Sequence, residues 1–184
     1  RIYGDDGYSL TFAAPVKGQS GKLIGIWANF ATFDLVEQIV ADAYRRLASD
    51  GMAGAEITIL NPEGVVLVDY DPALQGSGPY KRNFEVIGKL NLVGKGVTAA
   101  VSAIRGERGA NLSIHARKGI EQASGYAHSD GAYDFPGLGW SVLVRTPSSE
   151  AFAGINNIIW QIKVVFGCAF IVVLALGVRT RGVL

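Results

Sequence analysis

Apolar and polar positions alternate in short blocks along most of this chain, then give way to one long apolar run at its end. Residues 9–16 read as a strand, the Gly- and Ser-rich stretch Lys17 to Lys22 as a turn, and residues 23–28 as a second strand, which together predict a β-hairpin. A helical period follows. Leu35, Val36, Ile39, Val40, Ala43 and Leu47 fall on one face, Asp34 stands as an N-cap with Glu37 completing a capping box, and Asp50-Gly51 ends the helix. Residues 55–60 and 65–69 form the next pair of strands around a Pro62-Glu63-Gly64 turn. Residues 70–83 read as a long loop dense in Gly and Pro, of the kind that carries function on a rigid scaffold. A short helix over 97–104 stops at Gly106, and residues 112–116, 122–128 and 140–145 read as three more strands, with a turn over 129–139. Thr146-Pro147 places a capping residue before a first-turn proline, so a helix is expected to start there and run unbroken into the closing apolar run. The order predicts an α+β module, an antiparallel sheet of about five strands with helices on one face. The hairpin-then-helix unit at the start has a weak echo in residues 122–145 and the helix after them, as two copies of one module would give.

The closing run changes the class of the protein. Val164 to Val178 is 15 residues without a charge, but at about 1.5 Å per residue this falls short of a bilayer core of about 30 Å. Starting at Ile158 gives 21 residues and about 32 Å, with Lys163 able to snorkel and Trp160 at an interfacial position. Arg179 and Arg181 follow at once and mark the cytoplasmic side, which places residues 1 to about 155 outside the inner membrane. The competing reading is a buried C-terminal helix of a soluble domain, apolar all round.

Composition narrows the remaining classes. The chain of 184 residues is 49% hydrophobic and 18% charged, which permits a full core and excludes disorder. Net charge is +1, so there is no electrostatic case for a nucleic-acid partner. The single cysteine, Cys168, lies in the apolar run, which leaves the rest without a disulfide framework or a thiol nucleophile. No signal peptide opens the sequence and Arg1 is not an initiating Met, so the chain reads as a piece of a longer protein.

Three stretches resemble a known family. Residues 8–30, YSLTFAAPVKGQSGKLIGIWANF, are similar to the closing hairpin of a Cache module, the extracytoplasmic relative of PAS domains. Residues 55–72, AEITILNPEGVVLVDYDP, resemble the opening hairpin of the next module, and residues 137–156, GLGWSVLVRTPSSEAFAGIN, its last strand and exit helix. Together they resemble the later two-thirds of a double Cache region, as in bacterial methyl-accepting chemotaxis proteins. The resemblance implies a ligand-gated receptor: a small molecule binds between sheet and overlying loops, the exit helix shifts, and a cytoplasmic signalling domain responds. It divides the chain into the end of a membrane-distal module (1–31), a connecting helix (32–50), a membrane-proximal module (51–146), an exit helix (147–157), a transmembrane helix (158–178) and the start of a cytoplasmic segment (179–184). It also implies a homodimer. The family's amino-acid sensors use a carboxylate near the end of the first module's last strand, whereas Trp27-Ala28-Asn29-Phe30 offers none, so an amino-acid ligand is not expected.

Enzymatic signatures do not hold. Gly88 to Lys95 has five residues between its glycines where a phosphate loop needs four, and Gly96 replaces the Ser or Thr. Gly94 to Ala99 matches a dinucleotide fingerprint in letters but no parallel βαβ unit surrounds it, and no nucleophile elbow exists. Asp69 and Asp71 could serve as paired carboxylates, although Asp71-Pro72 also starts a turn. His128 with Asp130 and Asp134 is explained by turn chemistry as well as by a metal. The expectation is a receptor, with no enzyme activity, no cofactor and no metal. Its candidate ligand residues are the polar and aromatic side chains around the long loop: Asp69, Tyr70, Tyr80, Arg82, Tyr126 and His128. The alternatives are the sensor of a histidine kinase or diguanylate cyclase, and a membrane-anchored scaffold or hydrolase.

Overall fold

The computed structural model describes residues 8–76 and 78–181, with side chains through Ile171. The side chains of Arg179 and Arg181, and residues 182–184, lie outside this description. The first hairpin is formed by β1 (Ser9–Lys17) and β2 (Leu23–Thr32), a two-stranded sheet of its own. β2 runs four residues beyond the expected end because Asn29 to Thr32 find partners in Phe12 to Ser9. Ile26 and Trp27, neighbours on opposite faces of the strand, are 71% and 65% exposed.

Helix α1 (Asp34–Ser49) ends as expected at Asp50, with Gly51 at φ 89°, but its start differs. The N-cap position is Phe33 and no side chain caps it. The expected capping box does not form, because Asp34 and Glu37 both turn to Arg82. The buried face is also rotated from the expected one. Val36, Glu37, Val40, Tyr44 and Leu47 face the sheet, while Leu35 and Ile39 are 67% and 59% exposed. Glu37 takes a place that periodicity gives to an apolar residue, since a guanidinium meets it there.

The main sheet contains β3 (Glu56–Leu60), β4 (Val66–Tyr70), β5 (Gly109–Ile114), β6 (Glu121–His128) and β7 (Ser141–Pro147), in the order β4-β3-β7-β6-β5, with every pairing antiparallel. The last strand in sequence is therefore central. Short helices α2 (Pro72–Gln75) and α3 (Thr98–Ile104) lie in the long middle connection. Helices cover both faces, not one. α1 packs against Ile57, Ile59, Val68 and Tyr70, together with Phe33. On the opposite face, Ala99, Ala100 and Ala103 of α3 lie against Leu60, Val66 and Leu143, with Val86, Ile87, Leu92 and Val97 completing this core. Alanines let the helix approach closely, and each fully buried Leu or Val contributes about 1.5–3 kcal/mol.

The exit differs from the expected single helix. β7 continues to Pro147, which pairs with Gln122, then α4 (Ser148–Ala151) and α5 (Ala153–Arg181) follow with a break at Phe152. Gly54 donates its N–H to Glu150 Oε1 at 3.0 Å, fastening α4 to the turn before β3. Within α5, Ala153–Ile171 spans 19 residues of mean hydropathy 1.4, long and apolar enough to cross a membrane, and none of it is buried. The core helix of a soluble domain, the competing reading, would be mostly buried, and this stretch is not.

Candidate functional site

The α3 face of the sheet changes character along the strands. Leu60, Leu143 and Val66 make its far half apolar. Towards the end of β7 the same face carries Glu56, Thr58, Asp69, Ser124, Gln122 and Arg145, all buried. Register explains the grouping. Glu56 pairs with Arg145 and Arg145 with Ser124, so charged and polar residues occupy one cross-strand row, while Thr58 lies opposite Asp69 in the next.

Arg145 is the hub. Its Nη2 donates to Thr58 Oγ1 at 2.5 Å and lies 3.2 Å from Glu56 Oε2 and 3.5 Å from Asp69 Oδ1. Thr58 Oγ1 in turn donates to Asp69 Oδ1 at 3.0 Å. The turn between β5 and β6 closes over this group from the solvent side. Arg117 Nη2 donates to Asp69 Oδ2 at 2.9 Å. Lys118 Nζ pairs with Glu56 Oε1 and lies 3.0 Å from Asp71 Oδ2. His115 is fixed in one tautomer. Its Nδ1 accepts the backbone N–H groups of Arg117 and Lys118 at 3.1 and 3.0 Å, which leaves the ring proton on Nε2, 2.9 Å from Glu56 Oε2. Asp71 also caps α2 by accepting from Ala73 N at 3.1 Å.

Three carboxylates and three cations thus balance in a nearly dry place. Burial by itself would raise the Glu56 pKa, but the His115 hydrogen bond, the Arg145 charge and the Lys118 hydrogen bond together outweigh it and hold it down at about 2. Burial pushes Arg145 below its usual value, against the pull of Glu56 and Asp69. Lys118 is raised: its desolvation is more than offset by Glu56 and Asp71.

The six residues proposed from sequence fall in different places. Asp69 belongs to the ion network. Tyr70 faces α1, its ring 4.6 Å from that of Tyr44 and 6.0 Å from that of Tyr80. Tyr80 donates to the Asp69 carbonyl at 2.9 Å, and burial raises its pKa. Arg82 clamps α1 through Glu37, with bonds of 2.7 and 2.9 Å, and through Asp34. Tyr126 packs against the α3 core, and His128 Nδ1 lies 3.1 Å from Ser141 Oγ at the far end of the face. Asp130, grouped with His128 in the metal reading, pairs with Arg108. Among the described residues no cluster of His, Cys, Asp and Glu suited to a metal occurs.

Sequence reasoning missed Glu56, Thr58, His115, Arg117, Lys118 and Arg145. Two of them left a signal: Glu56 in AEITIL and Arg145 in SVLVRTP are charges within otherwise apolar strands. Read with period 2, such charges point to solvent, but here the second face is covered too.

No protein-family model matches this chain, and no curated protein is significantly similar to it. Solved structures are similar in fold. The extracellular domain of a protein described as the histidine kinase mmHK1S-Z3 aligns over 84% of this chain with a TM-score of 0.53 and 16% identity. The ligand-binding domain of the amino-acid chemoreceptor PctB of Pseudomonas aeruginosa PAO1, solved with L-Arg, aligns over 83% of it at a TM-score of 0.45 and 16% identity. The chain spans about half the length of these structures, 50% and 49%. Its antiparallel five-stranded sheet with flanking helices shares a Cache-like fold with the mmHK1S-Z3 extracellular domain.

Proposed function

We propose that this chain is the extracytoplasmic ligand-sensing region of a transmembrane receptor, with α5 crossing the membrane and its C-terminal end in the cytoplasm. One observation carries the reading: Arg145, the hub of the buried ion network, stands two residues before Pro147, where β7 passes into α4 and α5. A ligand that alters the network acts directly on the strand that leads to the membrane. Transmission requires only that the ligand bind two positions of that strand and helix with unequal affinity. The network includes Asp69 of the candidate ligand residues; Tyr80 and Arg82 hold the loop that borders it. The fastening of Gly54 by Glu150 keeps α4 in step with the sheet.

The β1–β2 hairpin fits as the closing piece of a second, membrane-distal module over residues 1–31. A two-stranded sheet with apolar side chains on both faces needs covering layers to be stable. The output we favour is that of a chemoreceptor working as a homodimer, on the order of the three resembling stretches. A histidine kinase is the second reading, since an extracellular domain so described has this fold.

Two measurements test the sensor reading. In vesicles of known orientation, a membrane-impermeant maleimide should label Ser148→Cys from outside and Thr180→Cys only from inside. In thermal unfolding with small-metabolite libraries, a ligand at 100 times its Kd should stabilise the chain by about 2.7 kcal/mol. Labelling of both positions from one side, or a library without a single stabilising compound, refutes it.

A further inference from the structure

The turn between β6 and β7, over 129–139, leads into the start of β7, whereas the ion network gathers near the end of that strand. This turn holds a cavity of about 270 Å³. Trp140, Phe135, Leu138 and Ala132 line it, Ser129 contributes the one hydroxyl, and no lining residue carries a charge. The turn is built to keep its shape. Ser129 donates its N–H to the Trp140 carbonyl at 2.8 Å, and Ala132 and Phe135 exchange two backbone hydrogen bonds of 3.0 Å. Gly131 and Gly137, at φ 85° and 83°, bring the two sides of the turn together. A Cβ on Gly131 would stand 2.0 Å from the Phe135 carbonyl oxygen, and one on Gly137 2.9 Å from the Gly131 nitrogen. Trp140 is also fixed by its neighbours. Its ring is stacked on Phe33 with centroids 5.8 Å apart, and Phe33 is stacked on Tyr8 at 4.4 Å. A cavity with walls held in this way needs little ordering when a molecule enters.

Tyr133 is a second, independent mark of a binding place. Among the described residues it is the only non-glycine with a positive φ, at 53°, and its ring stands wholly in solvent between the lining residues Ala132 and Phe135. The backbone there favours glycine, and strain of this kind gathers at ligand clamps. An aromatic ring at the rim adds a flat face that can close over a bound molecule. Size and charge restrict what that molecule is. An apolar cavity of about 150 Å³ takes up benzene, so this one has room for two fused rings. An ion would exchange its water for a lining without a counter-charge. Aromatic walls stack best on a molecule that is itself flat.

We propose that the β6–β7 turn is a binding site for a neutral, flat molecule the size of two fused rings, held against Trp140 and Phe135 and covered by Tyr133. The site is separate from the ion network, and it binds whether or not β7 transmits a signal.

Quinoline, N-methylquinolinium and quinoline-3-carboxylate share one ring system and are respectively neutral, cationic and anionic in mildly alkaline buffer. Each is titrated into the whole chain in detergent micelles and followed by amide NMR. Quinoline is expected to shift the signals of residues 129–140 saturably, and the two charged probes to leave them in place. Uptake of quinoline by the micelle is common to every variant, so variants isolate the site. Ala132→Trp fills the cavity from an exposed position and is expected to weaken quinoline binding by about tenfold or more. Tyr133→Gly keeps the turn and removes its cover, and is expected to weaken binding by about threefold or more. The proposal is overturned if quinoline leaves residues 129–140 unmoved, if either variant binds it as well as the parent, or if a charged probe binds there as tightly. A quinoline response confined to other residues also overturns it, while leaving the sensor reading standing.

Discussion

Arg117 Nη2 stands 2.9 Å from Asp69 Oδ2, and this contact joins the turn of the edge hairpin β5–β6 to β4 at the opposite edge of the sheet. The contact passes over β7 and β3, so the α3 face is bridged at the end where β7 passes into α4 and α5. Lys118, the next residue, repeats the bridge to Asp71 and Glu56. The turn is thereby a bolt across the face, made of long side chains that can withdraw without breaking a strand pairing.

The two ends of the bolt differ in cost. Asp69→Ala removes the acid shared by Thr58, Arg117 and Arg145 and leaves the buried Arg145 short of a counter-charge, so urea unfolding should show a loss of about 3–5 kcal/mol. Arg117→Ala, which removes a partly exposed partner, should cost about 1 kcal/mol or less. Equal losses from the two substitutions would contradict a rigid acidic floor with a movable cationic cover.

Acid should weaken the fold through Glu56. Its folded pKa, about 2, lies below the unfolded 4.5, so its contribution is fully present above pH 4.5 and is lost as pH falls towards 2. A shift of this size corresponds to about 3 kcal/mol. Chemical unfolding between pH 6 and 2.5 should show a decline that is visibly flatter in Glu56→Gln.

Arg82 fixes the long loop to α1 by a two-pronged contact with Glu37, whose side chain is 5% exposed. Arg82→Ala strands that carboxylate and should cost about 3 kcal/mol. Arg82→Lys should recover less than half, because an ammonium cannot make the paired bonds of a planar fork. Hydrogen exchange should quicken in α1 and in residues 78–83 together.

Glu150→Ala tests whether α4 must follow the sheet. It removes only the acceptor for Gly54 N, so stability should fall by about 1 kcal/mol or less. A pair of spin labels, one at the start of α5 and one on β3, should nonetheless report a broader distance distribution. An unchanged distribution would remove Glu150 from the transmission route.

The turns show how much local chemistry was legible. Pro62-Glu63-Gly64 falls between β3 and β4 as expected, with Gly64 at φ 81° and the side chain of Val93 where a Cβ would stand. Asp71-Pro72, read as a turn start, opens the one-turn helix α2. The site was less legible. Asp69 was found because it ends a strand beside a long loop, but His115 falls inside the expected strand over 112–116, and nothing local singles out Arg117 and Lys118 after it. Their partners lie 48 to 62 residues away in sequence, and no local pattern records such a pairing. Arg82 illustrates the same limit: the acids it draws from the start of α1 are the ones that local rules assign to a capping box.

The sequence by itself determined the elements, the α+β class and the apolar final helix, because period, turn residues and run length act within a few residues of one another. Tertiary structure decided which faces are covered, and so which polar residues are buried. It set β7 in the middle of the sheet, which lines up Glu56, Arg145, Ser124 and Asn111 in a single row. It also folded an edge turn back over that row. The physical reason is that strand order and register, not neighbourhood along the chain, determine which charges must be neutralised together once water is excluded.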